Sequence, residues 1–172
     1  MLREIYGTIK IEHKFNMSAK IDDYNNLKCY KQLLKIYKSL IKFRGYDDFV
    51  KAKNLSPCDT YIVDHDFIVE LDENQHFSKA RLISLKNYPN TLKTAFSINK
   101  WIQYCQKINA SDPQPIYRDE QRAWYDTLRD FLPLIDGGFS PTMRIIIADY
   151  EWCSLNPKKL KDIDKFKSLI KG

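Results

Sequence analysis

Two short runs rich in β-branched and aromatic residues, Thr60 to Val63 and Phe67 to Leu71, are separated by the polar triplet Asp64-His65-Asp66. That pattern predicts a β-hairpin. It constrains the fold more tightly than any other stretch, because the loop and the alternation of side chains together fix the strand register. With an even-numbered loop centred between Asp64 and His65, Asp59 faces Glu70, and their Cβ atoms stand roughly 5 Å apart. Two carboxylates so placed can hold one divalent ion. Glu70 and Asp72 are two apart in an extended strand and project from one face. Asp59, Glu70 and Asp72 are therefore expected to converge, with Gln75 and His76 following where the strand leaves the sheet. Carboxylates that converge without a cation repel one another, so the three are candidate metal ligands.

The charge distribution gives this cluster a setting. The chain carries a net charge of +6, and all of the excess lies in residues 1–58. Residues 59–73 hold six carboxylates and no Lys or Arg. A basic protein with one acidic node suits an anionic polymer and a divalent cation. A solvated acidic turn on an ordinary basic protein fits the same charges.

Residues 24–43 repeat apolar side chains at three- and four-residue spacing through Leu27, Tyr30, Leu33, Leu34, Tyr37, Leu40 and Ile41, and Gly45 follows. This predicts an amphipathic helix with a glycine stop. Its other face carries Lys28, Lys31, Lys35, Lys38 and Lys42, a ridge of about 21 Å within an arc of roughly 80°. With no acidic residue between Asp23 and Asp47, the ridge is a candidate contact for successive backbone phosphates. The solvated side of any amphipathic helix has the same pattern.

Further elements follow from the same periodicities. Residues 2–15 read as a weak strand or extended arm, and residues 79–86 as a short helix. Ser97 caps a helix over 98–108 with the stripe Ile98, Trp101, Ile102, Cys105 and Ile108. Residues 118–132 form a helix whose Asp119 and Glu120 suit its N-terminus. Arg118, Arg122, Tyr125 and Arg129 share one face of it, while Arg122 and Asp126 read as an i, i+4 surface pair. A buried strand is expected over 143–150, and residues 158–172 form a C-terminal basic helix. The fold class is α/β, one domain with a small mixed sheet flanked by helices.

The 172 residues suffice for a single core, and no apolar run approaches the roughly 20 residues needed to span a bilayer. No signal-peptide pattern opens the chain, which is read as cytoplasmic. Cys29, Cys58, Cys105 and Cys153 lie far apart without a C-x-x-C pair and are expected to be reduced core residues.

The run from Asp59 to Phe77 resembles the catalytic hairpin of the PD-(D/E)xK nuclease superfamily, in its very-short-patch-repair-like endonuclease branch. The matching residues are Asp59, Glu70, Asp72, Gln75, His76 and Phe77. Glu73 stands where that branch has Gly, and Asp72 stands at the position of the superfamily's usual Lys. Residues 83–117 form an insertion where relatives are short. The resemblance implies a restriction-endonuclease-like core and Mg²⁺-dependent hydrolysis of phosphodiester bonds, with Mn²⁺ as a substitute. It makes Asp59, Glu70 and Asp72 the metal ligands, with Gln75 and His76 orienting or protonating. Glu12 is a candidate for the glutamate that completes such sites.

The expected function is a DNA endonuclease acting on double-stranded DNA, with the lysine ridge, Arg118 and Arg122 gripping the backbone. Two alternatives stand beside it: a non-catalytic nucleic-acid-binding protein, and an interaction module of a defence or mobile-element complex that docks through the inserted Ser97–Ile108 helix, Trp101 included. The partner expected beside nucleic acid is a second copy of the chain, in a homodimer.

Overall fold

The computed structural model describes residues 1–170 and shows an α/β fold built on one four-stranded mixed sheet. The strands are β1 (Ile9–His13), β2 (Cys58–Ile62), β3 (Phe67–Asp72) and β4 (Met143–Ile146), side by side in that order. β1, β2 and β3 are antiparallel, whereas β3 and β4 are parallel. The helices are α1 (Leu2–Tyr6), α2 (Tyr30–Arg44), α3 (Lys79–Lys86), α4 (Ile98–Ile108), α5 (Arg118–Asp130), α6 (Leu132–Ile135) and α7 (Leu160–Ile170). No helix among the described residues is long and apolar enough to cross a membrane.

The two-residue alternation of β3 and β4 divides the core. Ile68 and Ile146 point into a large cluster shared with α2, α3, α4 and α5. Phe67, Val69 and Ile145 point to the opposite face, where α1 and α7 cover them with Leu2, Ile5 and Phe166. The chain passes from β3 through α3, α4, α5 and α6 before returning as β4, and this helical crossover allows two parallel neighbours.

Local chemistry sets the helix ends. Ser97 Oγ accepts from the Lys100 amide, and Ser78 Oγ accepts from the Arg81 amide, so each serine satisfies a free donor of the first turn. Gly45 closes α2 at φ +81°, a conformation that costs glycine little.

Several boundaries differ from the sequence reading. Residues 2–15 hold a short helix before β1, and Ile11 is 71% exposed on the sheet edge. α2 begins at Tyr30 because the preceding residues close successive three-residue turns, with the Leu27 amide donating to Tyr24 and the Tyr30 amide to Leu27. Lys28 therefore precedes the helix. The strand expected over 143–150 stops at Ile146, which pairs with Asp72, the last residue of β3. The helix expected over 118–132 ends at Asp130 and a new turn starts at Leu132. Cys153 is exposed, while the other three cysteines are buried as expected. The helix expected over 158–172 begins at Leu160, and residues 171–172 lie outside the described residues.

Candidate active site

The hairpin has the register expected from its loop. Thr60 pairs with Val69, Tyr61 with Ile68 and Ile62 with Phe67. One more step in that register sets Asp59 beside Glu70. There the ladder is completed by a side chain, with Asp59 Oδ2 accepting from the Leu71 amide at 2.7 Å.

A cleft of about 500 Å³ opens over this pair. Asp59, Glu70, Gln75, His76, Arg118 and Arg122 all line it, so the structure gathers four of the five expected catalytic residues and both expected arginines around one space. Arg129 also lines it, from the face of α5 that carries Arg118 and Arg122. Glu73, where the nuclease branch has Gly, adopts φ −85° and ψ 170°, a conformation open to any residue. Its carboxylate accepts from Gln75 Nε2 at 2.7 Å.

Glu70 is only 5% exposed, and its Oε1 has no hydrogen bond. Arg129 Nε lies 3.2 Å from that oxygen without the alignment of a hydrogen bond, while Arg129 Nη2 donates to Ser56 and Pro57. Burial pushes the Glu70 carboxyl up to about 7, against the pull of Arg129 and Arg144.

Asp72 lies beneath the cleft and does not line it. Arg144 Nη1 reaches its Oδ1 at 2.7 Å, and Trp101 Nε1 donates to its Oδ2 at 2.6 Å. Both carboxylate oxygens are thereby committed within the protein. Trp101 is accordingly buried, so the indole itself is not part of the surface that α4 exposes.

Arg144 is the hub of this layer. Its Nε meets Asp130 at 2.7 Å and its Nη2 meets Asp126 at 3.2 Å. Asp130 in turn accepts from Arg81 and from the Tyr88 hydroxyl, each at 2.7 Å. Asp126 is thus a buried member of the network and not the surface partner of Arg122. Arg122 instead meets Asp112 at 2.8 Å and donates to the Gln75 carbonyl at 3.2 Å.

His76 joins the network to the cleft. Its Nδ1 lies 3.0 Å from Asp126 Oδ2 and 3.5 Å from Asp72 Oδ1. Burial disfavours the imidazolium, but Asp126, through charge and hydrogen bond, and Asp72 outweigh it and raise the pKa. Asp72, His76 and Asp126 could be read as a metal triad, since one ligand atom from each lies within 4.8 Å of the others. The Arg144 guanidinium already supplies positive charge to both carboxylates, so an ion-paired imidazole fits this geometry better.

The remaining candidates lie elsewhere. Glu12 is exposed on β1 and does not line the cleft. Nor do Lys28, Lys31, Lys35, Lys38 and Lys42. Sequence reasoning missed the roles of Arg144, Trp101 and Asp126. Arg144 left a signal: a lone arginine among the apolar residues of a buried strand implies buried carboxylates waiting for it.

Comparison with family models, with curated proteins and with solved structures yields no match for this chain.

Proposed function

We propose that the cleft hydrolyses phosphodiester bonds of nucleic acid, duplex DNA foremost, with a divalent cation held by Asp59 and Glu70. The observation that carries this reading is the Glu70 carboxylate, buried with one oxygen lacking a hydrogen bond, beside Asp59 in a cleft rimmed by arginines. A buried carboxylate without donors is costly unless it is protonated or meets a cation. Two carboxylates form an oxygen donor set that fits Mg²⁺ or Mn²⁺. Asp72 does not fit as a ligand, because its oxygens are already engaged.

Such a cation polarises a phosphoryl oxygen and lowers the pKa of bound water. The protein's own groups do the rest. Arg118 and Arg122 contact the phosphate backbone, where guanidinium geometry suits phosphate oxygens. Gln75 stands beside Arg122 and orients groups entering the cleft. Asp126 occupies His76 Nδ1, so proton transfer falls to Nε2. This assignment keeps Asp59 and Glu70 in the roles that the resemblance to PD-(D/E)xK nucleases implies, departs from it at Asp72, and puts His76 in place of the absent lysine.

Arg129 beside Glu70 favours a second reading, a nucleic-acid-binding protein in which that arginine neutralises the acid without metal. The two readings part on one assay. Supercoiled plasmid incubated with Mg²⁺ or Mn²⁺ is nicked or linearised under the first, and EDTA stops the reaction. Binding that EDTA does not affect, with no cleavage at any metal concentration, establishes the second.

A further inference from the structure

The lysines of α2 face away from the cleft, and the packing of α5 shows why. On α5, Glu120 meets Arg44 of α2 and the Trp124 ring meets Tyr37 of α2, whereas Arg118, Arg122, Tyr125 and Arg129 line the cleft. At 100° per residue these two sets occupy roughly opposite sides of α5. Within α2, Leu33, Ile36 and Leu40 are buried, and Lys31, Lys35, Lys38 and Lys42 project from the other side. The cleft, α5, α2 and the lysine row are therefore stacked in that order, and a straight duplex in the cleft does not reach the row.

The row is nevertheless built as a continuous cationic surface. α2 contains no acidic residue. Among the described residues, the lysines that meet carboxylates are Lys51 and Lys100, neither of them on α2. Along the helix axis the four lysines span about 16 Å in steps of about 4.5–6 Å. Duplex nucleic acid presents one phosphate charge for roughly every 1.7 Å of its axis, so a row of this length meets several phosphates at once. An anionic bilayer is a poorer partner. Helices that lie in a membrane interface insert an apolar face, and the apolar side chains of α2 are turned into the core.

We propose that the lysine row of α2 is a second, sequence-independent contact for a duplex backbone, on the opposite side of the molecule from the cleft. One chain then holds two duplex segments at once. The choice of duplex as the polyanion rests on the reading of the cleft as a nucleic-acid site; the existence of a separate cationic surface does not.

The test is calorimetric titration of the full chain with a short duplex in EDTA, where no cleavage occurs. The wild type takes up two duplexes. Lys31→Gln, Lys35→Gln, Lys38→Gln and Lys42→Gln combined weaken one of the two, whose slope of log K against log salt becomes shallower by up to about 3.6, and leave the other unchanged. Thermal unfolding keeps the wild-type midpoint, because the four side chains lie on the exposed face of α2. A quadruple variant that titrates like the wild type overturns the proposal. So does a wild type that binds phosphatidylserine vesicles through these lysines while taking up a single duplex. Arg118→Gln with Arg122→Gln separates the two readings: if that variant still takes up two duplexes, the cleft assignment fails and the ridge assignment stands.

Discussion

Arg144 Nη1 and Asp72 Oδ1 lie 2.7 Å apart with both side chains almost completely shielded from solvent. The pair turns a residue that sequence spacing offers as a metal ligand into part of the layer that supports the site. Arg144 meets Asp126 and Asp130 as well, so removing it takes the shared guanidinium from three buried carboxylates. Arg144→Met should therefore destabilise the fold by about 3–5 kcal/mol, measured by urea unfolding. A loss below about 1 kcal/mol would show that the network holds less than its geometry implies.

Trp101 donates the other hydrogen bond to Asp72. Trp101→Phe keeps most of the ring packing and leaves Asp72 Oδ2 without its donor, at an expected cost of about 1–3 kcal/mol. The same variant should leave binding to any protein partner unchanged, because the indole is buried. Stability equal to wild type would contradict this role.

Glu70 gives stability a pH dependence of known sign. Its folded pKa is about 7, above the ordinary 4.5, so without metal the native state holds the proton more tightly than the unfolded chain. Stability then falls as pH rises from about 4.5 through about 7 and levels off above. Glu70→Gln lacks that ionisation. In EDTA it should gain up to about 3 kcal/mol relative to wild type between pH 4.5 and pH 8.5. Denaturant midpoints that keep a constant gap across this range would refute the raised pKa.

His76 shifts stability in the same direction, through the charged form instead of the neutral one. Burial works against its charged form, but Asp126 and Asp72 prevail and raise the pKa. Its charge-dependent stabilisation is fully present below the unfolded value near 6.5 and is lost as pH rises through the higher folded value. Under the nuclease reading His76→Ala lowers the cleavage rate by roughly 10²–10⁴ without a matching loss of cation affinity. A rate within threefold of wild type would leave the imidazole a purely structural role.

The sequence carried the hairpin and its register because Asp64-His65-Asp66 marks the turn and the flanking strands alternate; Thr60 opposite Val69 is the result. It carried the faces of α4 and α5 because their apolar residues recur at helical spacing. It did not carry the Arg144 network, whose members meet across 14, 18 and 72 residues of chain. Asp126 shows the limit of local rules. Four residues after Arg122, it looks like a surface partner, yet burial sets the stronger demand, and only Arg144 and His76 meet it. The lysine row was visible as a face of a helix. Its direction was not, because that depends on which side of α5 receives α2.

Cation binding at Glu70 is the most direct test of the account. Mn²⁺ titrated into the metal-free wild type at pH 8, followed by its effect on water proton relaxation, should show a site in the cleft. Asp59→Asn and Glu70→Gln, each confirmed as folded, should lose that site together with plasmid cleavage. Unchanged Mn²⁺ affinity in both variants would contradict the assignment of Asp59 and Glu70 as ligands, and with it the proposed hydrolysis.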